Sequence, residues 1–450
     1  MIAYRLYASA VALSNFLRGE SHLQPTYARR AGGRVRRSLF DLRDAIVHRR
    51  DEVERGELRG ALVLYAATIG EFHPLVPVID AYLRCRPGTP VAVFAGQFQY
   101  LDAIRAACPN AAIGVLPPSA PWLYDRLFRL LQPKAVVLGE GPCLPLHFPI
   151  AFDMSLAAAC VRHRVPMAVA NATLHKHFAS SRLDKLEARL FGGLYARAMR
   201  FWFAPNAIFK SWLVSANVPA ERIVVTGDLR FDRLNRAGSI SPDLTAILEH
   251  VRALDVRVVV AGSVNAIDEE SAVIEGWLEV RAKHPGARLI IAPRHVNNAE
   301  NMEKLYAYLR DKGTRFARRS EGVAAANDAD VLVVDVFGEL PHFYSLATVA
   351  YIGRNHGVLE PLRFEVPTVV APRADWGHDY VTFPAYVQMI DQGGIIEATD
   401  KRDLGRIFLR VIDEPGYGRA VVDNALRVAE SERGAGKRIA EQLDSIASNR

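Results

Sequence analysis

From residue 61 onward the chain alternates short apolar runs with glycine-led or polar turns and amphipathic stretches, and it does so twice. The first series holds ALVLYAA (61–67), VAVFAG (91–96), KAVVLGE (134–140) and MAVANA (167–172). Helical patterns over 73–84, 99–107, 121–131 and 182–199 lie between and after these runs. The second series holds RVVVAGS (257–263), RLIIAPR (288–294), DVLVVDV (330–336), VAYIG (349–353) and TVVAP (368–372). Apolar strands of this length alternating with helices predict parallel sheets covered on both faces. The two series are joined by the polar, turn-rich RLNRAGSISPD (233–243). An α/β chain of two doubly wound, Rossmann-like domains facing a cleft is therefore expected. The expected division is a leader over 1–40, a first domain over 41–215, a second over 216–425 and a C-terminal helix over 426–450. The stretch SRLDKLEARLFGGLYARAMRFW (181–202) carries a helical apolar stripe and reads as core.

Charge separates the leader from the body. The 450 residues carry a formal charge of +7, while residues 1–40 alone hold seven arginines against Glu20, a local +6. The remainder is nearly neutral, which argues against a generic nucleic-acid binder with a basic face on its folded domain. Four well-separated cysteines with no CxxC pair fit neither a disulfide framework nor a zinc site, and are expected as buried thiols. The segment IAYRLYASAVALSNFL (2–17) is interrupted by Arg5 and Asn15 and falls short of the roughly 20 apolar residues of a spanning helix. It also lacks a clear signal-peptide cleavage site. At helical spacing Ile2, Leu6, Ala10, Leu13 and Leu17 share one side. That side, with the arginines downstream, predicts a helix lying in an anionic membrane interface. The competing expectation is a helix that packs on its own domain.

In doubly wound sheets, ligands bind beyond the carboxyl ends of the strands, so polar residues there are the candidates. In the first domain Gly70-Glu71 follows the first strand just before a helix, and Gly139-Glu140 ends another strand. Glu71 reads either as a complement to a helix dipole or as a general base beside a ligand. In the second domain, Gly262-Ser263 precedes the acidic helix start Asp268-Glu269-Glu270 and suits a phosphate. Arg294 supplies a guanidinium at the next strand end. Gly338-Glu339 forms another turn into a helix. His356 and Glu360 lie in the polar turn that follows VAYIG, where a carboxylate suits ribose hydroxyls. Jointly these describe a site for a phosphorylated nucleotide, with an acid on the other domain. No His/Asp cluster of metal-ligand spacing stands out, so no metal is expected.

These residues, in this order, resemble the 3-deoxy-D-manno-octulosonic acid (Kdo) transferase family of GT-B glycosyltransferases. Ile69-Gly70-Glu71 is similar to the family's SVGE motif, and Glu140 falls at its ETELWPN segment. Asn171-Ala172 falls at NAR, and Thr226-Gly227-Asp228-Leu229-Arg230-Phe231-Asp232 resembles TGNLKFD. Ala261-Gly262-Ser263, Ala292-Pro293-Arg294-His295, Arg318-Arg319-Ser320 and Gly338-Glu339-Leu340 follow. The last motif, GGS…GGHNPLEP, is contracted here to Gly353-Arg354-Asn355-His356-Gly357-Val358-Leu359-Glu360-Pro361, with Gly357 at the family's Asn. ETELWPN has lost its aromatic residue and an acid, and NAR its arginine.

The resemblance implies an inverting, metal-independent transfer of Kdo, or a related ulosonic acid, from its CMP-activated form to a lipid A precursor in lipopolysaccharide biosynthesis. Glu71 would be the catalytic base, its apolar setting raising its pKa. Ser263, Arg294, Gly338, Glu339, His356 and Glu360 would hold the CMP-Kdo donor. Glu140, Arg29, Arg30 and Arg34 would meet the lipid acceptor. No cofactor and no nucleic-acid partner are implied. The implied location is the cytoplasmic face of the bacterial inner membrane, peripheral or anchored through the leader. Two alternatives carry different chemistry: a GT-B paralogue altered in catalysis, which binds or uses another donor or acceptor, and a nucleotide-sugar epimerase.

Overall fold

The computed structural model describes residues 1–17, 42, 45–139, 154–172, 182–234, 240–353, 357–372 and 384–448. Two compact units emerge, one formed by Met1–Arg233 with Glu432–Arg450 and the other by Leu234–Ser431.

The first unit is built on eight strands: β1 Ile46–His48, β2 Leu62–Ala66, β3 Val91–Ala95, β4 Ala112–Val115, β5 Ala135–Leu138, β6 Met167–Val169, β7 Met199–Ala204 and β8 Ile223–Val225. Their order is β1-β4-β3-β2-β5-β6-β7-β8, with β1 antiparallel to β4 and every other pair parallel. Every residue of β2, β3, β4 and β5 is buried, as helices on both faces of a parallel sheet require. Close approach of strand ends explains Gly96: a Cβ there would stand 2.4 Å from the Ala67 carbonyl oxygen.

The second unit holds β9 Val258–Val264, β10 Arg288–Pro293, β11 Phe316–Arg318, β12 Val331–Val333, β13 Val349–Ile352, β14 Thr368–Val370 and β15 Ile396–Glu397. All pairs are parallel, in the order β11-β12-β10-β9-β13-β14-β15. The long apolar runs of both series thus become strands within one to three residues of their expected limits.

Four expectations change. The helical stripe over 181–202 stops at Ala198, and Met199–Ala204 is β7. Its aromatic run Phe201-Trp202-Phe203 favours a pleated, buried surface over a helix. The division between units falls after Arg233 rather than after residue 215, because β8 pairs with β7 of the first sheet. The segment 426–450 is not one helix: helix Pro415–Glu432 ends, Gly434 takes a φ of 84°, and helix Ala435–Ser448 begins. A left-handed glycine is a common helix stop. Among the described cysteines Cys160 is buried, whereas Cys85 is exposed.

The leader forms helix Ile2–Leu17, which packs on the first unit through Tyr4, Ala8 and Ala12. The Tyr4 hydroxyl lies 3.0 Å from that of Ser155, and Arg5 donates to Asp125 at 2.6 Å. The opposite side carries Ile2, Leu6 and Leu13, exposed by 77%, 68% and 50%. The expectation of a helix that packs on its own domain is met by the small-residue face, while the larger aliphatic face stays exposed. No helix of the described residues is long and apolar enough to cross a membrane.

The C-terminal helix Ala435–Ser448 lies along helix Ile69–Cys85 of the first unit. Its start is held by Asp232, whose two carboxylate oxygens accept from the Gly434 and Gly436 amides at 2.6 and 2.7 Å. A Cβ at Gly436 would stand 2.8 Å from the backbone of Pro77, so only glycine permits this contact. Asp232→Ala is expected to cost about 1–2 kcal/mol of stability, as loss of a helix cap does. Hydrogen exchange should show faster opening at Gly434 and Gly436, with the β2–β5 amides unchanged.

Candidate functional site

Strand order identifies where each sheet can hold a ligand. In the first sheet the direction of winding reverses between β2 and β5, and in the second between β9 and β13. At such points adjacent loops splay to opposite faces and open a crevice beyond the strand ends. Of the residues singled out, Glu71 and Gly139 follow the strands at the first of these places, and Gly262, Ser263 and Glu360 belong to or follow those at the second, whereas Arg294 follows β10 and Gly338 and Glu339 follow β12.

At the first, helix Ile69–Cys85 begins directly after β2, so Glu71 sits inside its first turn rather than ahead of it. The Thr68 side chain accepts from the Glu71 amide at 3.3 Å, and Glu71 Oε2 accepts from the Ala67 amide at 2.8 Å. This reciprocal capping orients a half-exposed carboxylate at the positive end of a helix. Gly139, at the end of β5, abuts it: a Cβ there would stand 3.3 Å from the Glu71 Cβ. The chain thus brings the start of the Gly139-Glu140 segment against Glu71, although Glu140 itself lies outside the described residues. His73, one turn along, has its Nδ1 buried with no partner among the described residues. Burial, reinforced by the nearby Arg233 charge, pushes its pKa down to about 4, so it is neutral near pH 7.

At the second, β9 carries a bulge: Ala292 pairs with Gly262 but Pro293 with Val264, leaving Ser263 between them at a φ of 54°. The Arg294 amide donates to the Val264 carbonyl at 2.9 Å, which places Arg294 at the strand end next to Ser263. Gly353, at the end of β13, closes on the same bulge, since a Cβ there would lie 2.1 Å from the Ser263 carbonyl oxygen. Helix Ile267–Lys283 starts shortly after this bulge, and a helix N-terminus favours an anion.

Two acids behind this turn were legible only as an acidic helix start. Glu269 is buried and accepts from the Asn265 amide at 2.6 Å and from the Tyr351 hydroxyl at 2.7 Å. It thereby ties the turn after β9 to β13. Glu270 is also buried, and its Oε2 has no partner among the described residues.

The remaining predicted residues divide. Gly338 takes a φ of 86° in the turn after β12. The Glu339 carboxylate receives a two-pronged contact from the buried Arg319, at 2.7 and 3.1 Å, so its charge is committed to holding that turn. Ser320 donates from its amide and hydroxyl to Asp335 at 2.9 and 2.5 Å, fastening the same turn from the other side. At its tip Phe337 is 74% exposed, an aromatic ring that pattern reasoning passed over because it follows an apolar strand. Glu360 lies beside Gly357, and burial raises its pKa to about 7. Gly357 has a φ of 44°, a left-handed position open to glycine and to asparagine, the residue the family carries there. His356, Arg29, Arg30 and Arg34 lie outside the described residues.

A UDP-GlcNAc 2-epimerase from Neisseria meningitidis covers 86% of this chain and 99% of its own, with a TM-score of 0.57 at 16% identity. A glycosyltransferase from Rickettsia africae covers 87% and 100%, with a TM-score of 0.60 at 9% identity. At such identities the likeness concerns the fold, and the fold is GT-B. In sequence, residues 43–233 match the family model described as 3-deoxy-D-manno-octulosonic-acid transferase. The Kdo transferase of Bordetella pertussis is 27% identical over 403 residues, which are 85% of this chain and 86% of that protein. That of Haemophilus influenzae is 22% identical over 400 residues, with the same coverages. The chain is thus similar to Kdo transferases over most of its length, at low identity.

The Glu270 carboxyl has a pKa raised from 4.5 to about 7, by burial first and then by Glu269 and Asp268. The folded chain retains this proton over a range where the unfolded chain has lost it. Stability therefore falls as pH rises from about 4.5 through about 7. Glu270→Gln removes that penalty. Urea unfolding is expected to show the variant level with the parent near pH 4.5 and more stable by on the order of 1–3 kcal/mol above pH 7.5.

Proposed function

We propose that the chain is a glycosyltransferase that moves Kdo, or a related ulosonic acid, from its CMP-activated form to a lipid A precursor in lipopolysaccharide biosynthesis. The observation that carries this reading is the Glu71 carboxylate, set at the crevice of the first sheet in a chain similar to Kdo transferases over most of its length. The reaction proposed is a single displacement. An acceptor hydroxyl attacks the anomeric carbon, its proton passes to Glu71, and the bond to the CMP phosphate breaks with inversion at that carbon. A carboxylate that accepts from the Ala67 amide, on a residue whose own amide donates to Thr68 Oγ1, keeps one geometry throughout, which is what proton removal in the transition state requires.

The departing phosphate carries the charge that the second unit is suited to receive. We assign it to the Ser263 bulge, the Arg294 guanidinium and the amides opening helix Ile267–Lys283, a metal-independent arrangement needing no cofactor. Glu360 is assigned to the ribose hydroxyls. Below about pH 7 it is protonated; above, it becomes a stronger acceptor, so donor affinity should improve from pH 6 to pH 8. Gly338 and the turn fastened by Arg319 and Glu339 offer backbone groups to the base, and Phe337 offers a ring to stack on it. His356 is assigned to the donor, and Glu140, Arg29, Arg30 and Arg34 to the acceptor.

Glu71→Ala is expected to lower turnover of CMP-Kdo and a lipid A precursor by on the order of 100-fold or more, with donor affinity little changed. A variant that retains turnover would remove Glu71 from this role.

We assign the protein to the cytoplasmic face of the bacterial inner membrane. The exposed Ile2, Leu6 and Leu13 face of the leader helix would lie among acyl chains, and the downstream arginines against anionic headgroups. Ile2→Asp/Leu6→Asp leaves the buried Tyr4, Ala8 and Ala12 face intact. It is expected to weaken sedimentation with anionic vesicles roughly tenfold or more without lowering Tm; unchanged sedimentation would exclude the helix as the contact.

A further inference from the structure

The carboxyl ends of the first sheet hold Glu71; the opposite, amino-terminal edge has a depression of about 420 Å³, set between the starts of β6 and β7. Its rim carries Arg164, Arg197 and Arg200, and its wall includes Val161, Pro166 and Phe201. Arg164 follows the end of helix Met154–His163 with a φ of 57°, Arg197 lies in the last turn of helix Arg182–Ala198, and Arg200 is the second residue of β7. These positions come from three separate elements, so no single helical face or charge run accounts for their meeting.

Three guanidiniums around one depression repel one another unless counter-charge is close. Among the described residues none of the three forms an ion pair with a carboxylate: Arg197 donates to the Gly193 carbonyl at 3.2 Å, and the Arg200 guanidinium lies 6.0 Å from the Phe201 ring centre. The neighbouring basic residues differ. Arg162 and His163 reach Asp125 at 3.3 and 3.1 Å, and Arg222 donates to the carbonyls of Ala196 and Met199 at 2.9 and 3.2 Å. Two helix C-termini also end at this edge, each worth about half a negative charge. Against three full positive charges they leave the depression positive by about two units. Arg222 offsets part of one helix end as well.

We propose that this depression is a second ligand site, separate from the strand-end sites and independent of the assigned transfer, that binds a phosphate-bearing molecule with an apolar body. Guanidiniums match phosphate oxygens two at a time, and three of them suit a dianionic phosphate or a pyrophosphate better than a single carboxylate. The Val161, Pro166 and Phe201 wall takes the apolar part. Both a free phosphorylated compound and the headgroup of a phospholipid present this chemistry.

Titration calorimetry of the full chain with inorganic pyrophosphate tests the free source, and sedimentation with phosphatidylcholine vesicles, with and without phosphatidic acid, tests the lipid source. The same measurements on Arg164→Ala/Arg200→Ala isolate the depression from the Ser263–Arg294 turn. The expected result is a loss of affinity of tenfold or more for pyrophosphate, for phosphatidic acid, or for both, at unchanged Tm. Loss for vesicles alone assigns a lipid headgroup, and loss for pyrophosphate alone a soluble ligand. Arg200→Ser alone gives the same reading should the double variant unfold early. Binding equal in parent and variants, or no binding of either probe by the parent, overturns the proposal.

Discussion

Asp228, buried in the segment where the chain is about to leave the first unit, joins three parts of that unit far apart in sequence. One of its oxygens accepts from the Asn171 side-chain amide at 2.7 Å and from the Arg230 amide at 2.9 Å, and the other from the Arg230 guanidinium at 3.2 Å. Asn171 in turn accepts from the Leu229 amide at 3.0 Å, and Glu432 accepts from the Asp228 amide at 2.9 Å. Glu432 is where the chain re-enters the first unit, and Arg438 completes the circuit by donating to the Thr226 carbonyl at 2.6 Å. A buried carboxylate is costly unless its lone pairs are filled. Here they are filled by groups from residues 171 and 230, while Glu432 of the returning segment takes up the Asp228 amide. Two stretches that resemble family motifs, Asn171-Ala172 and Thr226–Asp232, thus take part in holding the scaffold together.

The same economy of construction shapes the two strand-end sites. Each crevice is lined by a glycine that lets one strand end approach another, Gly139 against Glu71 and Gly353 against Ser263. Each also has an acid whose hydrogen bonds point into local backbone, Glu71 to Ala67 and Glu269 to Asn265. Such bonds cost little entropy because the partners are four residues apart. They hold the site still without a long-range network, which is what transition-state complementarity asks of a catalytic group. Tyr351 adds a long-range side-chain contact at the second site, reaching Glu269 from the neighbouring strand.

Much of the site was legible in advance because polar residues directly after apolar strands are conspicuous. Glu71, Ser263 and Arg294 stand out for that reason, and all three lie at strand ends in the structure. Glu339 stood out equally, yet its carboxylate is taken up by Arg319, a pairing across twenty residues that no local pattern announces. The short strands β4, β8 and β11 passed unnoticed, since three or four residues carry too little periodicity to separate from loop. β7 was absorbed into the preceding helix because Met199 to Trp202 continue its apolar stripe.

The sequence by itself determined that two parallel, doubly covered sheets would form, where most of their long strands lie, and that the leader has a distinct aliphatic face. These follow from hydrophobic period and local charge, which the chain carries whether folded or not. Tertiary structure alone decided which strands are neighbours, and hence that the crevices open at β2/β5 and β9/β13. It also decided that Glu270 and Glu360 keep their protons to about pH 7, and that three arginines from separate elements ring one depression. Neighbourhood and burial depend on contacts between residues tens to hundreds of positions apart, and no local spacing in a chain encodes the dielectric or the company a side chain will meet once folded.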